Sequence, residues 1–293
     1  MSLHKATLFT GVATALITPF SNSEIDYAAF GELIDHQIES DVSALLVAGT
    51  TGECATLSVE EIYRLTSFAK KRICGRVPLL AGCGSNSTQH AIHLAEAVCE
   101  AGADALLVVT PYYCKASDRG LLLHFRAIAD RATRPLILYN VPSRTGVALS
   151  MSHYRELAKH ENIIGVKEAS GDLSLLENLC AECGDDLDVW TGNDPQTVAA
   201  MRLGAIGVIS VVSNVLPHAM VELCRLCAVK DYRVAEERLI SLRERIDALF
   251  AEVNPIPVKY VAAMKGFCAA EYRLPLCPPS PELSRRLQAI FYS

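Results

Sequence analysis

Lys167 closes an apolar run, Ile163–Ile164–Gly165–Val166, and is followed at once by Glu168. A lysine drawn out of water loses its proton more readily and can attack a carbonyl carbon as a free amine. The competing arrangement is a lysine that runs outward along the surface or pairs with Glu168. Other polar residues also stand directly after apolar runs: Thr50, Thr51, Gly52 and Glu53; Thr110, Pro111, Tyr112 and Tyr113; Tyr139, Asn140 and then Arg144; Gly192, Asn193 and Asp194. Tyr139 and Tyr113 are candidate members of a proton relay that Thr50 could bridge, because a phenol gives and takes a proton beside a carbinolamine. Ordinary rim packing would account for the same tyrosines. Thr50–Thr51–Gly52 offers hydroxyls and turn amides suited to a carboxylate, or is a plain turn. Arg144 could clamp a second carboxylate in bidentate fashion, or form a surface ion pair. One lysine among hydroxyls, with few carboxylates, suits Schiff-base chemistry.

Such a set needs a scaffold that brings strand ends together. Eight apolar runs rich in Val, Ile and Leu recur along the chain, at 12–18, 44–49, 77–82, 103–109, 135–140, 162–167, 187–192 and 206–212. They lack polar alternation, as strands of a parallel sheet covered on both faces do. Helical patterns lie between them: Ser58 with Glu61 has capping-box spacing, and Asn86–Ser87–Thr88 opens a run that ends on Gly102. The pattern predicts an α/β fold, a (β/α)8 TIM barrel, whose active sites sit at the C-terminal strand ends. An open doubly wound sheet is less favoured, since no GxGxxG follows the first run. After Pro217 the strands stop. Residues 218–250 read as helix, with the last helix of the barrel ending near 230; Pro255 and Pro257 break the pattern, and 258–270 and 281–291 read as helices again. The expected division is a catalytic barrel over 1–230 and a C-terminal helical domain over 231–293, an appendage suited to subunit contacts.

Composition narrows the field. With 51% hydrophobic and 20% charged residues among 293, the chain can bury a large core, which excludes intrinsic disorder. Its 27 basic and 33 acidic residues leave a net charge of −6, no footprint for nucleic acid or an anionic membrane. Residues 203–221 carry no charged side chain, yet their Gly, Ser, Asn and Pro residues suit a buried strand, a turn and a helix start. The stretch from Lys5 to Phe20 is faintly like a signal peptide, but Pro19 and the interspersed threonines suit a first strand. Eleven cysteines are an odd count in a long chain. The CxxC pairs Cys180–Cys183 and Cys224–Cys227 fall in helical runs, where such residues share a face, so no metal is expected. A reduced, cytoplasmic setting follows.

Taken in order, GTTGE (49–53), VTPYY (109–113), YNVPSRTG (139–146) and GVKEASGD (165–172), with TGND and GVISVVSN, closely resemble the 4-hydroxy-tetrahydrodipicolinate synthase (dihydrodipicolinate synthase) family. This family is a branch of the pyruvate-dependent class I aldolases. The resemblance covers nearly the whole chain. It implies a lyase of diaminopimelate and lysine biosynthesis, condensing pyruvate with L-aspartate 4-semialdehyde, without cofactor or metal, usually as a homotetramer made of two tight dimers. Lys167 would form the Schiff base, Tyr139 would shuttle the proton, and Thr50 would link it to Tyr113 of the neighbouring subunit. Thr51 would hold the pyruvate carboxylate, assisted by the carbonyls of Gly192 and Ile209, and Arg144 the semialdehyde carboxylate. A sibling aldolase, such as N-acetylneuraminate lyase or a 2-keto-3-deoxy sugar acid aldolase, shares the lysine and tyrosine; Arg144 favours the synthase. Lysine-sensitive members bind lysine at the tight-dimer interface, at positions matching Cys54, Ala55, Ile62, Asn86, His90 and Tyr112. Asn86 and Tyr112 fit the sensitive pattern. His90 replaces a glutamate there and Ile62 a histidine, so weak or absent lysine inhibition is expected.

Overall fold

A computed structural model describes residues 5–292; the outermost positions of the expected two-part division, 1–4 and 293, lie outside the described residues. The eight apolar runs become eight parallel strands in one closed barrel. They are β1 (Gly11–Ala15), β2 (Ala44–Val47), β3 (Leu79–Gly82), β4 (Ala105–Val109), β5 (Leu136–Asn140), β6 (Ile163–Glu168), β7 (Asp188–Thr191) and β8 (Gly207–Ser210). Each pairs with its neighbours in sequence, and β8 closes on β1 with Gly11 opposite Gly207 and Ala13 opposite Ile209. Successive side chains of a strand point to opposite faces, so each run serves two cores. Ala13, Leu46, Leu80, Leu107, Ile137, Tyr139, Trp190 and Ile209 fill the interior. Val12, Leu45, Leu79, Leu106, Leu138 and Val166 belong to the larger core under the surrounding helices. Within the interior Trp190 stacks on Phe9, ring centroids 4.7 Å apart. Gly165 makes that possible, because a Cβ there would lie 2.6 Å from the Trp190 ring.

Helices α1 (Tyr27–Glu39), α2 (Val59–Ile73), α3 (Thr88–Glu100), α4 (Asp118–Arg131), α5 (Pro142–Thr145), α6 (Met151–Leu157), α7 (Leu173–Cys183), α8 (Thr197–Arg202) and α9 (Pro217–Ala228) follow the strands. The capping box at Ser58 and Glu61 forms in full, and Ser87 caps α3 through the His90 N–H. A small hairpin, Phe20–Ser21 against Glu24–Ile25, follows β1.

Three C-terminal helices complete the chain: α10 (Tyr232–Leu249), α11 (Ile256–Met264) and α12 (Pro281–Phe291). The helical stretch expected over 218–250 is two helices, divided near residue 230. Lys230 takes φ +61 and Asp231 caps a new helix by accepting from the Val234 N–H, which turns the chain between α9 and α10. Nor does Pro257 end a helix. It stands in the first turn of α11, where its missing N–H costs nothing. That helix stops at Met264, ahead of Gly266 at φ +84, so 267–270 are not helical. Among the described residues no helix is long and apolar enough to cross a membrane.

Candidate active site

Strand register places Lys167 directly opposite Tyr139 on β5 and opposite Trp190 on β7. All three side chains enter the barrel. The Lys167 Nζ lies 4.4 Å from the centroid of the Tyr139 ring. Both residues are buried, Lys167 at 5% and Tyr139 at 7% exposure. Gly192, at the end of β7, leaves room for the lysine stem, since a Cβ there would lie 2.8 Å from the Lys167 Cε. No described residue forms a hydrogen bond or ion pair with the Lys167 amine.

The pairing of Lys167 with Glu168 does not occur. Glu168 is opposite Asn140 and points with it to the outer face. There the carboxylate accepts from Asn140 Nδ2 (2.9 Å), the Tyr154 hydroxyl (2.7 Å) and the Ser170 N–H (2.7 Å). Burial and this carboxylate push the Tyr154 phenol well above its ordinary value. The one residue in six of β6 that could have neutralised Lys167 is therefore spent on holding β5, β6 and α6 together.

The remaining expected residues divide into two groups around the rim. Thr50 and Tyr139 line one cavity of about 400 Å³, together with Cys54, Ala55, Ile62, His90 and Tyr112. Asn86 is not among the lining; its carbonyl accepts from the Cys114 thiol beside it. No Asp, Glu, Lys or Arg lines this cavity. The Cys54 thiol there is pushed up to about 11 by burial and stays neutral. Ile209 is fully buried on β8, next to a tight junction: Asp194 accepts from the Ser210 hydroxyl and from the Val211 N–H at 3.0 Å. Burial raises the Asp194 carboxyl, against these hydrogen bonds and the charge of Lys167.

Tyr113 stands apart. Its backbone is left-handed at φ +71 and its ring is 90% exposed. No hydrogen bond joins Tyr113, Thr50 and Tyr139 within the described residues. Arg144 follows β5 on α5 and is exposed, but it forms no ion pair with any described residue; its Nη2 donates to the Asn254 carbonyl at 3.3 Å. Thr51 is buried and its Oγ1 accepts from Asn254 Nδ2 at 3.0 Å.

Sequence reasoning missed Asn254 and Lys259. Lys259 Nζ is bonded to Glu53 Oε1 at 2.5 Å, and both side chains are wholly buried. Phe20 and Tyr272 enclose the ammonium, at 4.1 and 5.2 Å from their centroids. Burial lowers the Lys259 ammonium, and the Glu53 carboxylate offsets only part of that lowering. Glu53 also accepts from the Arg273 N–H at 3.3 Å. These contacts fix the far side of the loop bearing Thr50 and Thr51, and no local pattern around Asn254 or Lys259 foretold them. Among the described residues no group of three or more His, Cys, Asp or Glu is placed to hold a metal ion.

A model of the dihydrodipicolinate synthetase family matches residues 8–292. The 4-hydroxy-tetrahydrodipicolinate synthase of Aquifex aeolicus (strain VF5) is 43% identical over 284 residues, 97% of each chain. The crystal structure of dihydrodipicolinate synthase from Aquifex aeolicus superposes with a TM-score of 0.95 at 42% identity, covering 97% of both chains. That of the enzyme from Cyanidioschyzon merolae, with lysine bound, gives 0.94 at 33% identity and 98% coverage of both.

Proposed function

The chain belongs to the dihydrodipicolinate synthetase family, and from that premise we propose that it joins pyruvate to L-aspartate 4-semialdehyde through a Schiff base on Lys167. The observation that carries this reading is the buried, carboxylate-free amine of Lys167 held beside the Tyr139 phenol by strand register. The free amine attacks the pyruvate carbonyl carbon, and the carbinolamine expels water to give the imine. Loss of a proton from the methyl carbon gives the enamine, whose carbon attacks the aldehyde of the second substrate. The amino group of that substrate then displaces Lys167 and closes the ring of 4-hydroxy-tetrahydrodipicolinate. Tyr139 moves the protons of the first steps. Thr51 and the carbonyls of Gly192 and Ile209 receive the pyruvate, and Arg144 receives the carboxylate of the semialdehyde.

The exposed, left-handed Tyr113 supports an assembly in which this ring enters the site of a second copy and meets Thr50. A homotetramer built from two such dimers fits the reading, as does a cytoplasmic setting. The cavity beside Cys54, Ala55, Ile62, His90 and Tyr112 lacks an acidic side chain. Lysine, with two ammonium groups, gains no ionic partner there. Lysine inhibition is accordingly weak or absent.

Purified protein given pyruvate with either L-aspartate 4-semialdehyde or N-acetylmannosamine tests the reading. Rapid turnover of the semialdehyde alone is expected. Preference for the sugar would transfer the assignment to the sialic acid lyases.

A further inference from the structure

Thr51 and Arg144 belong to segments that follow different barrel strands, β2 and β5, yet both are bonded to one residue of the C-terminal segment. The Asn254 amide nitrogen donates to the Thr51 hydroxyl at 3.0 Å, and the Asn254 carbonyl accepts from the Arg144 guanidinium at 3.3 Å. Asn254 is buried, and its side-chain oxygen has no hydrogen-bond partner among the described residues. Among the described residues the amide is thus held by its hydrogen bond to Thr51. We infer that Asn254 is a positioning residue that aims the Thr51 hydroxyl at the pyruvate carboxylate and gives both carboxylate-binding subsites one support. The inference rests on the proposed function.

The chemistry of the hydroxyl explains why this contact matters. A threonine hydroxyl has one hydrogen and two lone pairs. Because its oxygen accepts from Asn254, the hydrogen remains free to be donated to an incoming carboxylate. Without that contact the hydroxyl can rotate and spend its hydrogen on a nearby backbone carbonyl. The rest of the loop does not depend on Asn254. Gly52 O accepts from the Thr18 hydroxyl at 2.7 Å, and Glu53 is held by Lys259. Loss of the Asn254 amide therefore leaves the loop in place and alters one donor.

The test reads the pyruvate concentration that half-saturates borohydride trapping of the Lys167 adduct, by intact mass, in the full chain. Asn254→Ala removes the amide and keeps the carbonyl that meets Arg144. It should raise half-saturation about five- to tenfold, the range of one lost hydrogen bond, while the KM for the semialdehyde changes less than about twofold. Asn254→Asp should be worse than Asn254→Ala, because a carboxylate would take the Thr51 hydrogen and repel the substrate. Thr51→Val should raise half-saturation too, and adding Asn254→Ala to it should cost less than about twofold more, the non-additivity of residues acting through one contact. Asn254→Ser, too short to reach Thr51, replaces the alanine variant if that chain fails to fold. Half-saturation unmoved in the alanine or serine variant, full additivity with Thr51→Val, or an aspartate variant milder than alanine would each overturn the inference. A parent chain that traps no pyruvate overturns the Schiff-base reading and the inference with it; a parent that traps it normally, with an unmoved variant, overturns the inference alone.

Discussion

Two lysines are buried in this molecule, and they are chemically opposite. Lys167 projects into the barrel mouth beside a phenol, with no carboxylate bonded to it. Lys259 is more deeply buried, yet Glu53 holds its ammonium at 2.5 Å and two aromatic rings enclose it. Burial alone does not make a lysine nucleophilic. The partner matters as well, because a bonded carboxylate occupies the amine and closes off its approach to a carbonyl. The carboxylate next in sequence to Lys167 is turned away by strand alternation. The one that meets Lys259 comes from a distant loop.

The contrast is broken most severely at Lys167. Lys167→Ala should lower turnover by at least about a thousandfold, the scale of removing a covalent nucleophile. Peptide mapping after borohydride reduction with pyruvate should place the label on Lys167; label on Lys259 or Lys265 would sink the distinction. Lys259→Met should instead leave adduct formation possible while destabilising the fold by about 3–5 kcal/mol, since Glu53 is left buried and unpaired. Thermal or denaturant unfolding measures that cost. Adding Glu53→Gln to Lys259→Met should recover part of it, and a double variant no more stable than the single one would show that the pair is not the source.

Smaller effects sharpen the comparison. Arg144→Ala should weaken use of the semialdehyde by about tenfold or more, the equivalent of about 1.5–3 kcal/mol for a charge-assisted contact. Its pyruvate adduct should form as before, and unchanged synthase activity would demote Arg144 to a surface residue. The smallest effect is expected from lysine itself. Activity titrated against lysine near neutral pH should hold up through the millimolar range, because no acidic side chain among the described residues lines the cavity and the neighbouring Glu53 is already bonded to Lys259. Inhibition at sub-millimolar lysine would mean that another carboxylate reaches the ligand.

Much of the fold was legible before any coordinates, because local physics suffices for it. Continuous apolar runs cannot face water on either side, so eight of them interleaved with capped helices call for a covered parallel sheet. The helix ends after Pro217 were harder. The apolar spacing on either side of Lys230 is helical throughout, and nothing local requires the left-handed turn that separates α9 from α10. Likewise Pro257 reads as a breaker by type, while its place in a first turn makes it harmless.

Within the candidate site, residue type and strand position were enough to single out Lys167, Tyr139, Thr50, Thr51 and Arg144 as candidates, because each stands at or shortly after the end of an apolar run. Alternation along β6 even allows Lys167 to point inward and Glu168 outward. Which of the two faces inward depends on barrel closure, since the same alternation fits either assignment until the interior is defined. Asn254, Lys259 and Arg273 had no local signal at all. Their chemistry exists only through contacts with Thr51, Arg144 and Glu53 that lie 110 to 220 positions away along the chain, and such long-range contacts leave no periodicity in a sequence. The candidate reactive groups are written in short motifs because strand ends present them. The groups that aim those residues come from wherever the packed chain returns, and packing alone assigns them.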